Sequence, residues 1–302
     1  MNLGGEVELQ DEAISLSAAT LAALREFAME KGVTVGGGGG GDSCKKLEES
    51  ESAVDIVRAV QQHFDVKDKE TVFHITHGDI SLELLGLKRE LGQTLDSTGL
   101  TIWRAADHLC EYLFSNPDLL KDKYICELGC GLGVVAILVD KLNINATIVA
   151  TDGDDKTVDL LTKNIYSNTC SDRLVSRKLW WSENEEDNEA FLKSLDGVGG
   201  SSSSSSSSSG SSSPQKFDLI LAADVIYDEE AVLPLAASAA GLLARPGGEI
   251  ILGFSRRNVP ISKFWDAIKR HGLEWEKIKD CGSEAGRDNE AIYRLFWQEN
   301  II

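Results

Sequence analysis

The chain has 302 residues and a formal net charge of −19, with an isoelectric point near 4.7. Its length can bury one good-sized core or two small ones. The acidic balance disfavours tight binding to nucleic acid through a broad basic face and favours a basic protein or peptide partner. The alternative is that the acidic residues only keep the protein soluble.

No segment of the sequence is apolar and long enough to span a membrane, and the N-terminus lacks the basic and then apolar order of a signal peptide. We therefore expect a cytoplasmic or nuclear protein. No C-x-x-C pair occurs, so reduced, mostly buried thiols are expected and no metal site is predicted. The six cysteines are Cys44, Cys110, Cys126, Cys130, Cys170 and Cys281.

Residues 1–70 are predicted to form an N-terminal extension. Apolar residues at roughly helical spacing predict an amphipathic helix over 12–32, and a second short helix is predicted over 52–64. The six glycines at 36–41 between them predict a flexible linker. The main domain would then span residues 71–302.

The main domain begins with two predicted strands, 71–76 and 80–88, which would form a hairpin laid over the main sheet. Residues 97–116 lead into a helix that ends before Pro117. Trp103 lies at the start of this helix, where a tryptophan is often a core anchor.

A glycine motif follows the first strand of the predicted sheet. The apolar start at Tyr124 indicates a buried strand, and residues 134–142 indicate a helix. Between them Gly129, Gly131 and Gly133 form a tight turn that lets a ligand approach the backbone. The helix then directs its free N–H groups and its positive dipole end at that ligand.

The spacing of this motif narrows the class of ligand. A dinucleotide fingerprint starting at Gly129 would need its third glycine at Val134. Glu127, two residues before the first glycine, would repel a pyrophosphate but could serve a ligand that carries an ammonium group. The alternative is a tight turn between strand and helix with no ligand.

The second predicted strand, 146–151, ends in Asp152. An acid at this position can accept both hydroxyls of a ribose. The alternative is a helix cap, although Asp154 or Asp155 is better placed to cap the next helix. A third strand over 173–179 ends at a pair of tryptophans, Trp180 and Trp181.

Residues 183–214 hold an acidic run and then an almost pure serine segment, which predicts a disordered insertion. The strand pattern then resumes with strands at 217–223, 250–254, 273–279 and 291–297, and with helices ending at Leu242 and spanning 261–271. This alternation predicts an α/β fold whose sheet is mostly parallel, with an antiparallel last strand and helices on both faces.

In such a sheet, ligands bind outside the carboxyl ends of the strands. The glycine loop, Asp152, the tryptophan pair and the segment Ala223 to Tyr227 all lie at those ends. A tryptophan after the third strand offers a face for an adenine, and the small Ala223 would leave room for the ring. Asp224 after the fourth strand could alternatively be a helix N-cap.

From about residue 97 onward the sequence resembles methyltransferase family 16, the protein-lysine methyltransferase-like branch of the seven-stranded S-adenosylmethionine (SAM) methyltransferases. Four ordered segments carry the resemblance: Gly-Leu-Thr-Ile-Trp-Arg-Ala-Ala at 99–106, Glu-Leu-Gly-Cys-Gly-Leu-Gly at 127–133, Leu-Trp-Trp-Ser at 179–182 and Ala-Asp-Val-Ile-Tyr at 223–227. The resemblance implies a Rossmann-like seven-stranded sheet and SAM as the cofactor.

The same resemblance implies roles for single residues. Trp103 and Trp181 would contact the cofactor, although Ser182 stands where the family has glycine and leaves Trp180 as an alternative to Trp181. Asp224 and Tyr227 match the motif thought to position the substrate nitrogen. A carboxylate favours the ammonium form of a lysine, so Asp224 is assigned to binding and orientation.

The expected function is SAM-dependent N-methylation of a lysine side chain in a protein with a basic target region. The alternatives are methylation of RNA or of a small molecule on the same fold. A protein with this fold that binds SAM without catalysis is the alternative from another class, and a nicotinamide dehydrogenase is a more distant one.

Overall fold

The computed structural model describes residues 70–87, 98–169, 171–198, 214–281 and 290–298, together with the backbone of four short strands nearer the N-terminus. The chain divides into two compact units, Met1–Glu70 and Thr71–Ile302. Among the helices that the structure describes, none combines the length and the apolar character that a bilayer crossing requires.

The first unit contains two short antiparallel pairs. Strand β1 (Gly5–Leu9) pairs with β2 (Glu12–Leu16), and β3 (Thr34–Gly36) pairs with β4 (Cys44–Lys46). The predicted helix over 12–32 is therefore wrong at its start. Apolar residues two apart, as at Ile14 and Leu16, satisfy strand periodicity as well as helical spacing. The rest of that helix, the helix predicted over 52–64 and glycines 37–41 lie outside the described residues.

The second unit opens with the predicted hairpin, β5 (Glu70–His77) and β6 (Ile80–Leu87), which forms a two-stranded sheet of its own. Leu82 and Leu84 of β6 are buried. This strand packs mainly against two helices, α2 (Val134–Lys141) and α3 (Asp155–Asn168). The hairpin therefore covers a helical layer, and the prediction that it lies over the main sheet is wrong. With this cover, every residue of α2 except Lys141 is buried.

The main sheet has seven strands: β7 (Tyr124–Leu128), β8 (Thr147–Asp152), β9 (Leu174–Lys178), β10 (Leu219–Ala223), β11 (Glu249–Ser255), β12 (Leu273–Asp280) and β13 (Glu290–Trp297). Their order is β12-β13-β11-β10-β7-β8-β9, and β13 runs antiparallel to both of its neighbours. The predicted fold class, a mostly parallel sheet with an antiparallel last strand, is confirmed.

Two hydrophobic layers enclose this sheet because alternate residues of a strand point to opposite faces. Cys126 and Leu128 of β7 belong to one core cluster and Ile125 to the other. Helix α1 (Arg104–Ser115) contributes to the layer of α2 and α3. The opposite layer contains α4 (Glu185–Lys193), α5 (Val232–Leu242) and α6 (Ile261–Arg270).

Helix α4 corrects the prediction that disorder begins near residue 183. The side chain of Asn184 caps the helix by accepting from the Glu186 N–H at 3.0 Å. Acidic residues in the first turn complement the helix dipole, and Phe191 and Leu192 anchor the helix in the core. An acidic run that looked solvated is thus a helix N-terminus. Residues 199–213, with the serine segment, lie outside the described part.

Two asparagines of α3 attach the hairpin. Asn164, only 2% exposed, accepts from the Leu85 N–H at 2.8 Å and donates to the carbonyls of Leu85 and Leu132 at 3.0 and 3.1 Å. Asn168 pairs in the same way with the N–H and carbonyl of Glu83, at 3.0 and 2.7 Å. Since Leu132 belongs to the glycine loop, Asn164 ties β6 and that loop to one helix.

Replacing Asn164 should cost more stability than replacing Asn168. Asn164→Ala leaves the buried carbonyl of Leu132 and the part-buried backbone groups of Leu85 without this partner, so we expect the free energy of unfolding to fall by about 1–3 kcal/mol. Asn168→Ala is the matched control, because water can reach the groups it frees. Urea titration of both variants measures the difference, and equal losses would contradict the buried role of Asn164.

Candidate active site

A cavity of about 330 Å³ opens at the carboxyl ends of β7, β8 and β10. The strand order reverses between β7 and β10, and this is where open α/β sheets bind ligands. Most of the residues singled out in the sequence line the cavity. They are Trp103, Glu127, Gly129, Gly131, Asp152, Trp180, Trp181, Ala223, Asp224 and Tyr227.

The glycine loop has the left-handed backbone that the sequence predicted. Gly129, Gly131 and Gly133 have φ values of +62°, +53° and +87°. A Cβ at Gly131 would lie 3.0 Å from the carbonyl oxygen of Gly99, in a segment that also lines the cavity. Gly133 lies behind the wall, immediately before α2, where a Cβ would meet Leu161 at 2.5 Å. Its role is therefore close packing of helix on loop.

Glu127 is a buried carboxyl group at the end of β7, with 2% of the residue exposed. Its Oε2 accepts from the backbone N–H of Ala136 in the first turn of α2, at 2.8 Å. Burial raises the pKa of Glu127 from 4.5 to about 8, and the nearby Asp152 adds to the rise. A cation arriving in the cavity would therefore find an acid that can be ionised at little cost.

Asp152 holds the loop from the neighbouring strand. Its two oxygens accept from the N–H groups of Gly131 and Asp154, at 3.1 and 3.2 Å, while burial raises its pKa. The alternative that Asp152 caps α3 is wrong, since the cap is Asp154, whose Oδ2 accepts from the Thr157 N–H at 2.8 Å. Asp152 thus fixes the shape of the loop and lines the cavity beside it.

Three tryptophans line the cavity. Trp103 precedes α1 and donates from Nε1 to the carbonyl of Thr98 at 2.9 Å. Trp181 is partly buried and packs close to Gly129, whereas Trp180 is 70% exposed and lies over Gly153. Both residues of the pair reach the cavity, so the geometry keeps both as candidates for the adenine face.

Asp224 forms an ion pair that the sequence analysis missed. The residue is 7% exposed and has φ of +60°, and both of its oxygens accept from the guanidinium of Arg257, with the Nε bond at 3.0 Å. That guanidinium also lies over the ring of Trp103, 4.6 Å from its centroid. The alternative that Asp224 caps a helix is wrong, because α5 begins at Val232 after Ala231.

The position of Arg257 in the sequence gave only a weak indication that it belongs to the site. It lies two residues after the end of β11, at the same edge of the sheet as the other loops. Tyr227 lies on the rim of the cavity with 45% of its surface exposed. The cavity therefore joins Glu127, Asp152 and the glycine loop with Asp224, Arg257 and Tyr227.

The raised pKa of Glu127 predicts a pH-dependent stability in the ligand-free protein. The folded state keeps this proton up to about pH 8, while the unfolded chain releases it near 4.5. The folded state therefore binds more protons within this window, and its stability falls as pH rises. Glu127→Gln keeps an oxygen that can accept from the Ala136 N–H, and it removes the fall in stability that rising pH causes through Glu127.

Thermal unfolding from pH 5 to pH 8 tests this expectation. The Tm of Glu127→Gln minus that of the wild type should grow as pH rises. Groups that do not interact with Glu127 cancel in this difference, and a constant difference would show that Glu127 does not hold its proton.

The chain matches methyltransferase family 16, described as lysine methyltransferase, over residues 85–198 and 206–271, which is more than half of its length. It is 30% identical over 173 residues to the protein-lysine N-methyltransferase EFM3 of Chaetomium thermophilum, covering 56% of this chain and 46% of that protein. It is 25% identical over 185 residues to the human protein-lysine N-methyltransferase EEF2KMT, covering 60% and 52%. The chain spans about half the length of these relatives.

Solved structures with a similar fold include a TehB-like SAM-dependent methyltransferase from Corynebacterium glutamicum. It is 17% identical, with a TM-score of 0.43, and the match covers 70% of this chain and 96% of that one. The family assignment rests on the extent of the family match, which covers more than half of the chain. The chain therefore belongs to the lysine methyltransferase family, methyltransferase family 16.

Proposed function

We propose that this protein is a SAM-dependent methyltransferase that N-methylates a lysine side chain of a protein substrate. The observation that carries the proposal is that one cavity joins the glycine loop, Glu127 and Asp152 with Asp224 and Tyr227. Membership of the family and the names of its relatives support the lysine side chain as the acceptor.

The chemistry of the cavity fits SAM. A buried carboxyl whose pKa is raised to about 8 suits the ammonium of the methionine part, which would favour the ionised form of Glu127. Asp152 lies where the ribose hydroxyls are expected at the end of the second strand of such a sheet. Trp181 or Trp180 would face the adenine beside Ala223, and Trp103 would close the cavity above the cofactor. When bound, SAM supplies a methyl group on a positively charged sulfur.

The protein's main task in the transfer is alignment, since little acid or base catalysis is needed. A lysine with a pKa of ~10.4 must first lose a proton, which is unfavourable by about 4–5 kcal/mol at pH 7. Asp224 and Tyr227 are assigned to orienting the amine, with Tyr227 also providing an aromatic wall. Moving the amine from water into the cavity favours its neutral form by desolvation.

A protein with a basic target region is the proposed partner. The net charge of −19 favours such a partner, and exposed acids at residues 228–230 directly follow Tyr227 on the cavity rim. The same charge disfavours a nucleic-acid backbone.

Cofactor binding should depend on the loop backbone. Gly131→Ala places a side chain on a left-handed residue against the Gly99 carbonyl, and should displace the N–H that Asp152 holds. We expect S-adenosylhomocysteine (SAH) to bind at least about tenfold more weakly, a loss of about 1.4 kcal/mol. Gly247→Ala is the matched control, because Gly247 also has positive φ (+90°) but no atom within 4 Å of its Cβ position. Calorimetric titration distinguishes the two variants, and equal affinities would contradict the loop as the cofactor site.

The proposed activity is tested by transfer of labelled methyl from SAM into a cell lysate. We expect label in a discrete protein band, located on a lysine by mass spectrometry, and loss of that label with Asp224→Ala. Label in RNA or in small molecules would refute the protein substrate while keeping the fold. SAM binding with no transfer to any fraction would refute catalysis.

A further inference from the structure

The ion pair between Asp224 and Arg257 lies at the substrate end of the cavity, the end where the lysine is proposed to bind. This pair changes how Asp224 can interact with a lysine. A carboxylate that meets a lysine ammonium would stabilise the charged, unreactive form. In this structure both carboxylate oxygens already accept from Arg257, which lines the same cavity. Asp224 is therefore presented to the cavity as part of a neutral pair.

We propose that Arg257 is a positioning residue that keeps the target lysine in its neutral, nucleophilic form by neutralising the charge of Asp224. The inference rests on the proposed function and concerns the same site. Asp224 then retains its dipole for orienting the amine, without the net charge that would hold the ammonium.

The fixed position of Arg257 supports this role. Its guanidinium donates hydrogen bonds to the carboxylate of Asp224 and lies over the ring of Trp103, with Cζ 4.6 Å from the ring centroid. A planar fork that is hydrogen-bonded bidentately and stacked loses little entropy and is hard to displace. Each carboxylate oxygen keeps a further lone pair, so an incoming amine can donate to Asp224 while Arg257 stays in place.

Several basic side chains near the pair contact other carboxylates. Arg104 and His108 of α1 meet Glu290 of β13 at 3.1 and 2.8 Å, and Lys263 of α6 meets Glu229, while the exposed Arg256 directly precedes Arg257. Other acidic or titratable groups line the same cavity from three further segments. They are Glu127, Asp152, Asp154 and Tyr227.

The transfer step balances with the amine neutral. The lysine loses its proton to water before transfer, and its nitrogen lone pair then forms a bond to the methyl carbon. The carbon–sulfur bond breaks and its electron pair stays on sulfur, so the positive charge moves to the methylated amine. The step needs a free lone pair, which a lysine held as ammonium by a bare carboxylate lacks.

The first test is the pH profile of kcat, which reports groups in the bound complex. The probe is a peptide containing the lysine labelled in the lysate experiment, with SAM and peptide both saturating. Arg257→Gln should move the acidic limb up by about one pH unit or more, since it removes the cation that neutralises the Asp224 carboxylate. Arg257→Lys should keep the limb in place at a lower rate.

Removing both charges separates electrostatics from damage to the fold. The double variant Asp224→Asn/Arg257→Gln should return the acidic limb to the wild-type position, even though both side chains are altered. Where Arg257→Gln does not fold, the double variant is compared with Asp224→Asn, whose limb should lie at lower pH. A rate loss that is equal at every pH would overturn the inference and leave Arg257 with a structural role.

The second test measures protonation without turnover. Calorimetry of the peptide binding to the SAH complex, in buffers of different ionisation enthalpy, counts protons released. The wild type should release protons as the lysine enters, and Arg257→Gln should release fewer. A peptide with norleucine in place of the target lysine is the control for protons from other groups. Equal proton release in both proteins would overturn the inference.

The two proposals fail in different ways. A wild type that labels no protein lysine contradicts the proposed function itself. An active wild type, with the same acidic limb and proton release in Arg257→Gln, contradicts only the role of Arg257.

Discussion

The cofactor end of the cavity is the end with the glycine loop, Glu127 and Asp152. Its shape depends on one buried hydrogen bond, in which Glu127 accepts from the N–H of Ala136 at 2.8 Å. No side chain of Gly133 can cap α2, so the carboxyl of Glu127 reaches across the loop to the third N–H of the helix. The Thr151 hydroxyl donates to the Glu127 carbonyl at 2.7 Å and joins β8 to the same place. These two hydrogen bonds thus hold the loop, β8 and α2 together, and the buried carboxyl of Glu127 lies at the cavity, where it can pair with a cation.

The carboxyl groups at the two ends of the cavity have their charge neutralised in different ways. At the cofactor end, burial holds a proton on Glu127, and an ammonium would replace that proton. At the substrate end, Arg257 neutralises Asp224 so that an ammonium gains little there. This difference suits a methyl transfer in which the ammonium of the cofactor must stay charged for binding, whereas the amine of the target lysine must be neutral for reaction.

Much of the fold could be predicted from the sequence because its signals are local. Buried strands such as β7, positive φ at the glycines and the cap at Asp154 follow from residue type and spacing. The features that were not predicted from the sequence depend mainly on contacts between distant parts of the chain. The strand β2 has spacing that also fits a helix, α4 is anchored by Phe191 and Leu192, and Arg257 pairs with a residue 33 positions away. Only the folded sheet brings that pair together.

The most direct measurement of the central claim is the number of protons released when SAH binds. If Glu127 meets the ammonium of the ligand, its pKa of about 8 must fall on binding. Calorimetry at pH 7 should then show release of close to one proton per SAH, falling to about half a proton at pH 8 and absent in Glu127→Gln. Release of no proton by the wild type, or the same release by the variant, would contradict Glu127 as the ammonium site.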